Sequence, residues 1–239
     1  MHWLASRKPD IVGLQELKMQ DEQFPHEVFK EAGYHAQVFG QKSWNGVAVL
    51  SREPAELLHR GLEGGEEMGS RLISVRCNGI GFTTVYCPNG KSVSHEDYGR
   101  KLAWYDRLIE FSKRGRESGE LDVLCGDFNI VPAAIDTHKE DPESIFHTDE
   151  ERARLAALME TGLTDLYREM HPESTMFSWW DYRGGSFYRN LGLRIDFILT
   201  ADHLKGRAQA IEIDRDYRKK KDGLTASDHA PVMLDLEDE

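Results

Sequence analysis

The sequence predicts an α/β protein in which large mixed β-sheets are covered by helices. Three observations carry this. Early in the chain, short apolar runs bounded by glycine and proline alternate with stretches of helical periodicity. Several apolar runs then follow one another with no helix between them, which a purely parallel strand–helix–strand array does not allow. No Pro/Gly/Ser-rich linker and no fixed-period repeat interrupts the 239 residues. The chain therefore reads as one domain over residues 1–239.

The elements follow in order. Residues 10–15, Asp-Ile-Val-Gly-Leu-Gln, are a short, mostly apolar run of the kind a buried strand needs. Phe24, Val28, Phe29 and Ala32 recur at helical spacing, and Gly33 suits the position after a helix end. Strand-like runs are expected at 36–39, 47–50, 72–76 and 82–86. Residues 96–113 read as a helix, with Leu102, Tyr105, Leu108, Ile109 and Phe111 on one face. A strand is expected at 121–125, ending at Gly126. An alanine-rich helix is expected at 150–160, before Gly162. Late strands are expected at 195–199, 208–213 and 231–236.

Composition bounds the class. With 30 basic and 42 acidic residues the net charge is −12, which argues against coating nucleic acid through bulk charge. It leaves room for a local basic rim and for carboxylates that hold a cation. No apolar stretch reaches the ~18 residues of a membrane span. Residues 1–7 carry no apolar signal segment. Cys77, Cys87 and Cys125 show no CxxC spacing, which fits a reducing compartment and no zinc site. A cytoplasmic protein is expected.

Four places put acids and amides where a strand ends or begins. They are Gly13-Leu14-Gln15-Glu16, Cys125-Gly126-Asp127-Phe128-Asn129, Leu193-Arg194-Ile195-Asp196 and Ser227-Asp228-His229-Ala230-Pro231. Asp127 and Asn129 stand two apart, so an extended stretch would point both side chains the same way. Carboxylates gathered without lysine partners repel, and a magnesium or manganese ion would relieve that repulsion. A histidine beside such a site could carry a proton or stabilise charge on a phosphate. Together these parts meet the needs of phosphodiester hydrolysis. Each motif alone has an ordinary structural reading as a turn or cap. Asp165, in Gly162-Leu163-Thr164-Asp165, is read that way.

In order, the motifs read LQE, GDFN, LRID and SDHAP. This resembles the exonuclease III family of apurinic/apyrimidinic endonucleases, in its bacterial form. Further likeness lies in Phe39-Gly40-Gln41-Lys42, Tyr86-Cys87-Pro88-Asn89-Gly90, Phe177-Ser178-Trp179-Trp180-Asp181-Tyr182-Arg183 and the residues from Asn190 to Asp196. The resemblance implies a four-layer α/β sandwich, two mixed sheets flanked by helices, DNase I-like. It implies magnesium-dependent cutting 5′ to abasic sites, with 3′-to-5′ exonuclease and 3′-repair activity. It implies duplex DNA with abasic sites or blocked 3′ ends as partner, no membrane, and a monomer.

By motif, the resemblance makes Glu16 the metal ligand, with Asp228 assisting. Asp127 activates or orients the attacking water, and Asn129 helps to position it. His229, held by Asp196, contacts the scissile phosphate. Tyr86 and Asn89 bind the phosphate. Trp179, Leu193 and Ile195 match the apolar pocket for the base-less sugar, while Trp180 reads as core. Arg71, Arg183, Arg189 and the run Arg218-Lys219-Lys220-Lys221 are candidate DNA-backbone contacts; of the run, Lys219 and Lys220 are the leading pair.

The resemblance also implies an N-terminal strand with a Trp/Phe-Asn motif, which nothing here matches. On that reading, residues 3–10 begin inside the first helix, activity is reduced, and the chain is prone to associate through an uncovered sheet edge. Two other functions are weighed. One is a phosphodiesterase or phosphatase of the same superfamily acting on inositol phosphates or phospholipids. The other is a DNA-binding module without catalysis.

Overall fold

The computed structural model describes residues 1–221 and 223–237. The chain forms two compact units, Met1–Pro88 with Trp104–Asp127, and Asn89–Ala103 with the residues from Phe128 onward.

In the first unit, helix α1 (His2–Arg7) precedes strand β1 (Ile11–Leu14). Helix α2 (His26–Glu31) leads into β2 (His35–Phe39) and β3 (Val47–Ser51). These strands make an antiparallel sheet in the order β1-β3-β2, with Val12 opposite Leu50 and Val38 opposite Ala48. All five residues of β3 are buried, because both faces of this strand are covered. Ala48 and Leu50 join Leu4, Phe24, Tyr34 and Val38 on one side. Val47 and Val49 pack on Ile73 and Val75 on the other. That alternation is the period of two expected of a strand.

Ile73 and Val75 belong to a second sheet. Strands β4 (Glu56–Arg60), β5 (Leu72–Cys77) and β6 (Ile80–Tyr86) are antiparallel neighbours. Helix α3 (Glu96–Ser118) then carries the chain to β7 (Val123–Asp127), which pairs parallel with β6. The sheet is thus mixed. β4 escaped the sequence reading because its burial pattern shows no buried residue to mark a face. β7 also differs from expectation: it does not stop at Gly126 but runs through it to Asp127.

The second unit holds α4 (Asp149–Met159), β8 (Leu163–Asp165), α5 (Leu166–Met170), β9 (Asp196–Ala201), α6 (Asp202–Lys205), β10 (Ala208–Ile213) and β11 (Val232–Leu236). β8 pairs with β9 and β10 with β11, both antiparallel. Its core gathers Leu166, Tyr167, Phe177, Trp180, Phe187, Ile211 and Ile213, so Trp180 is a core residue as read from the sequence. Asp165 is structural too. It accepts from the Arg168 backbone N–H at 3.2 Å as the cap of α5 and pairs with Arg194 at 2.8 Å. β8, α5 and α6 were not anticipated; at three to five residues each they are too short to show a period.

Candidate active site

Glu16 follows β1 and owes its place to two local features. Gly13 lets β1 lie against Thr84 of β6, since a Cβ there would sit 2.5 Å from the Thr84 hydroxyl. Gln15 then donates its side-chain amide to that same hydroxyl at 2.7 Å. Beyond them the backbone turns left-handed at Glu16, with φ 55°.

Asp127 is the last residue of β7 and is buried. It is delivered by Gly126, whose φ is 134° and whose Cβ, if present, would stand 2.0 Å from the Val85 carbonyl oxygen. Glu16 and Asp127 each turn a carboxylate oxygen to within 4.8 Å of the other. Such hard oxygen donors suit a divalent cation.

Tyr86, at the end of β6, stands opposite Asp127 in the parallel register. Burial, and then the charges of Glu16 and Asp127, push its hydroxyl well above the ordinary tyrosine value. It stays a neutral donor. Arg71 lies over the Tyr86 ring at 5.0 Å and donates to the carbonyls of Met68 (2.8 Å) and Tyr86 (3.1 Å). Burial lowers its guanidinium from the usual value, the nearby anions opposing that shift.

One expectation fails at Glu16. Its carboxylate is not without a lysine partner: the Lys18 ammonium lies 2.6 Å away. The signal was present two residues along the chain.

In the second unit the Nδ1–H of His229 donates to both oxygens of Asp196, at 2.9 and 3.0 Å. That bond fixes the tautomer and leaves Nε2 for other work. Asp196 opens β9, and the Ser178 hydroxyl accepts from the backbone N–H groups of Ile195 and Asp196 at 3.0 and 3.1 Å. Trp179 bridges to both Leu193 and His229. Its indole N–H donates to an Asp228 oxygen at 3.0 Å. Leu193 and Ile195 pack with Val131, beside Phe146 and Trp179. The sequence reading missed Val131 and Phe146, which lie outside the quoted motifs.

Asn129 is buried, and its φ of 50° is left-handed. The chain there is not extended, so the two-residue alternation expected of Asp127 and Asn129 does not hold. Asn89 is exposed, and its side-chain oxygen accepts from the Lys91 backbone at 3.0 Å, closing a tight turn.

The basic candidates divide. Arg183 is exposed and pairs with Asp181 at 2.6 Å. Arg189 reaches the Gly184 carbonyl at 3.5 Å. Lys219 pairs with Asp216 at 2.5 Å, Lys220 is exposed, and Lys221 lies 4.8 Å from the Tyr217 ring centre. Arg218 departs from expectation. It is buried, donates to the Trp180 carbonyl at 3.2 Å and stacks under Tyr182 at 4.7 Å, so it supports the loop from within.

The profile of the Endonuclease/Exonuclease/phosphatase family matches residues 1–229. The chain belongs to this family of phosphodiester hydrolases. It is 33% identical to Exodeoxyribonuclease III of Haemophilus influenzae, over 96% of this chain and 90% of that one. Among solved structures it is similar to the 3′–5′ exonuclease NExo from Neisseria meningitidis, with a TM-score of 0.92 and 36% identity, covering 99% of this chain and 92% of that one. An AP endonuclease from Archaeoglobus fulgidus gives a TM-score of 0.91 at 32% identity, over 98% and 91%. The fold class is the α/β one expected from sequence, as these neighbours bear out.

Proposed function

We propose that this protein is a DNA repair nuclease that cuts the phosphodiester 5′ to abasic sites, trims 3′ ends and removes 3′ blocks. The observation that carries the reading is the His229–Asp196 hydrogen bond, set beside Asp228 and the apolar group of Trp179, Leu193 and Ile195. Similarity over 96% and 98% of this chain to an exonuclease III and an AP endonuclease supports it. The family profile, matching residues 1–229 in one run, supports treating the chain as a single catalytic domain.

Each residue then has a task. Asp127, a buried carboxylate, takes the proton of the attacking water, and the Asn129 amide orients that water. The Tyr86 hydroxyl and the Asn89 amide hold the phosphate. His229 presents Nε2–H to the phosphoryl oxygen as charge develops, while Asp196 holds the ring and supports its cationic form. Arg71 braces Tyr86 from behind. The carboxylates of Glu16 and Asp228 suit Mg2+, with Mn2+ as a substitute. When bound, that ion neutralises charge on the phosphate and on the leaving oxygen. Trp179, Leu193 and Ile195 receive a sugar that has no base to unstack. Arg183, Lys219 and Lys220 meet the DNA backbone from the rim. The three cysteines are buried free thiols, in keeping with a reducing cytoplasm. The protein acts as a monomer on duplex DNA.

One experiment tests this. A labelled duplex with a single abasic site is incubated with the protein, with magnesium and then with a chelator. A second substrate carries a 3′-phosphate, because a solved Neisseria NExo structure is described as a 3′ phosphatase bound to product DNA hairpin. Magnesium-dependent nicking 5′ to the abasic site is expected. Phosphate release from inositol phosphates, with no action on either DNA, would refute the proposal.

A further inference from the structure

Helix α3 carries a lysine where its buried face should be apolar. Tyr98, Lys101, Tyr105, Leu108 and Ser112 lie on one stripe, and Lys101 on it is fully buried. An unpaired ammonium there would be very costly, so its surroundings must answer it. Its Nζ donates to the Glu151 carboxylate, to the Asn129 carbonyl at 2.7 Å and to the Asn89 carbonyl at 3.3 Å. Glu151 is fully buried too. Its other oxygen accepts from the Thr148 backbone at 3.1 Å and the Thr148 hydroxyl at 2.9 Å, at the start of α4.

Apolar residues often replace a buried salt bridge without loss, and for packing alone its remaining hydrogens could go to any acceptors at hand. This one does more. Its remaining hydrogens go to two loop carbonyls, and those loops carry Asn89 and Asn129. Asn129 also takes a left-handed φ of 50°, a conformation asparagine tolerates better than most residues and one that turns this loop sharply after β7.

We infer that Lys101 and Glu151 form a positioning pair. The buried ammonium, anchored on α4 through Glu151, ties together the two loops whose amides hold the phosphate and orient the water. The pair touches neither substrate nor metal; it acts through Asn129 and Asn89. The inference rests on the nuclease reading for its catalytic consequence, but not for its structural one.

The test uses Lys101→Met, the double variant Lys101→Met/Glu151→Leu, and Lys101→Met in an Asn129→Ala background. The single variant leaves Glu151 charged and unpaired, so its melting temperature should fall. The double variant removes both charges and should melt close to the parent. Its kcat on abasic duplex should nonetheless stay down by about 100-fold, the scale of a misplaced catalytic group, with KM changed less than about threefold. In the Asn129→Ala background, Lys101→Met should cost far less than it does alone. A double variant that recovers both melting temperature and kcat would overturn the inference, as would full additivity with Asn129→Ala. Hydrogen exchange gives a readout free of activity. Amides at residues 89–92 and 128–131 should exchange faster in the double variant, while β10 and β11 stay protected. Unchanged exchange at those loops would overturn the inference even if the parent cut no abasic DNA, an outcome that would instead refute the proposed function.

Discussion

His229 shares both Asp196 oxygens through one nitrogen, so the ring has a fixed orientation before any substrate arrives. This preorganisation sets the residue-scale predictions. On the proposed mechanism both groups act mainly as charge develops, so His229→Ala and Asp127→Asn should each lower kcat by at least about 100-fold, with DNA affinity within a few-fold of the parent. Asp196→Asn should be nearly as damaging, since an amide no longer selects the Nδ1–H tautomer. Single-turnover rates with saturating enzyme, set beside equilibrium binding, separate these effects. Near-normal turnover in any of the three would remove that residue from the mechanism.

Two elements govern how the site is presented. In β7 the chain passes the Val85 carbonyl so closely that Gly126 has no room for a Cβ. Gly126→Ala should therefore lower the melting temperature by roughly 5–10 °C, the scale of an overpacked core position in a chain of this size. Activity should fall further than stability explains, because Asp127 is the next residue. On the proposed function, the loop holding Lys219 and Lys220 meets DNA through charge. Lys220, exposed beside the buried Arg218, should matter more than Lys219, whose ammonium already has Asp216. Lys220→Ala should weaken binding to abasic and intact duplex alike and reduce the log–log salt slope by ~0.9. A slope that does not move would return this lysine to the solvated surface.

Over the whole molecule, the pH dependence of stability follows from buried groups. Burial lowers the His147 imidazole below its ordinary 6.5. The unfolded chain therefore takes up that proton first as pH falls below 6.5, and stability is lost there until the folded value is reached. Melting curves from about pH 7.5 to about pH 5 should show this slope, and His147→Phe should flatten it. On the alkaline side the sign follows from the thiols. Burial pushes Cys125 up to about 12 from 9.0, and Cys77 is raised for the same reason. Their contribution is whole below pH 9 and is lost as pH climbs toward the folded values. The native protein should resist a thiol reagent at neutral pH and react at all three cysteines once denatured. Rapid labelling of the native state would contradict the burial.

The sequence by itself determined the fold class, the long elements and the four motifs that hold Glu16, Asp127, Asp196, Asp228 and His229. Those signals are local. A strand buried on one face shows its period, and an acid or histidine at a strand end is visible without knowing what faces it. What the tertiary structure decided were the pairings between distant positions. The Asp196–His229 bond spans 33 residues, and the Lys101–Glu151 bond spans 50. The sequence could show a lysine within an apolar stripe, but not the carboxylate and two carbonyls that make it tolerable. Arg218 reads as one more charge in a basic run until the Tyr182 ring and the Trp180 carbonyl close over it. Asn129 reads as extended until its φ is seen. The reason is the same in each case. Periodicity reports which side of an element meets the core, whereas the partner of a buried polar group is chosen by the packing of the elements around it.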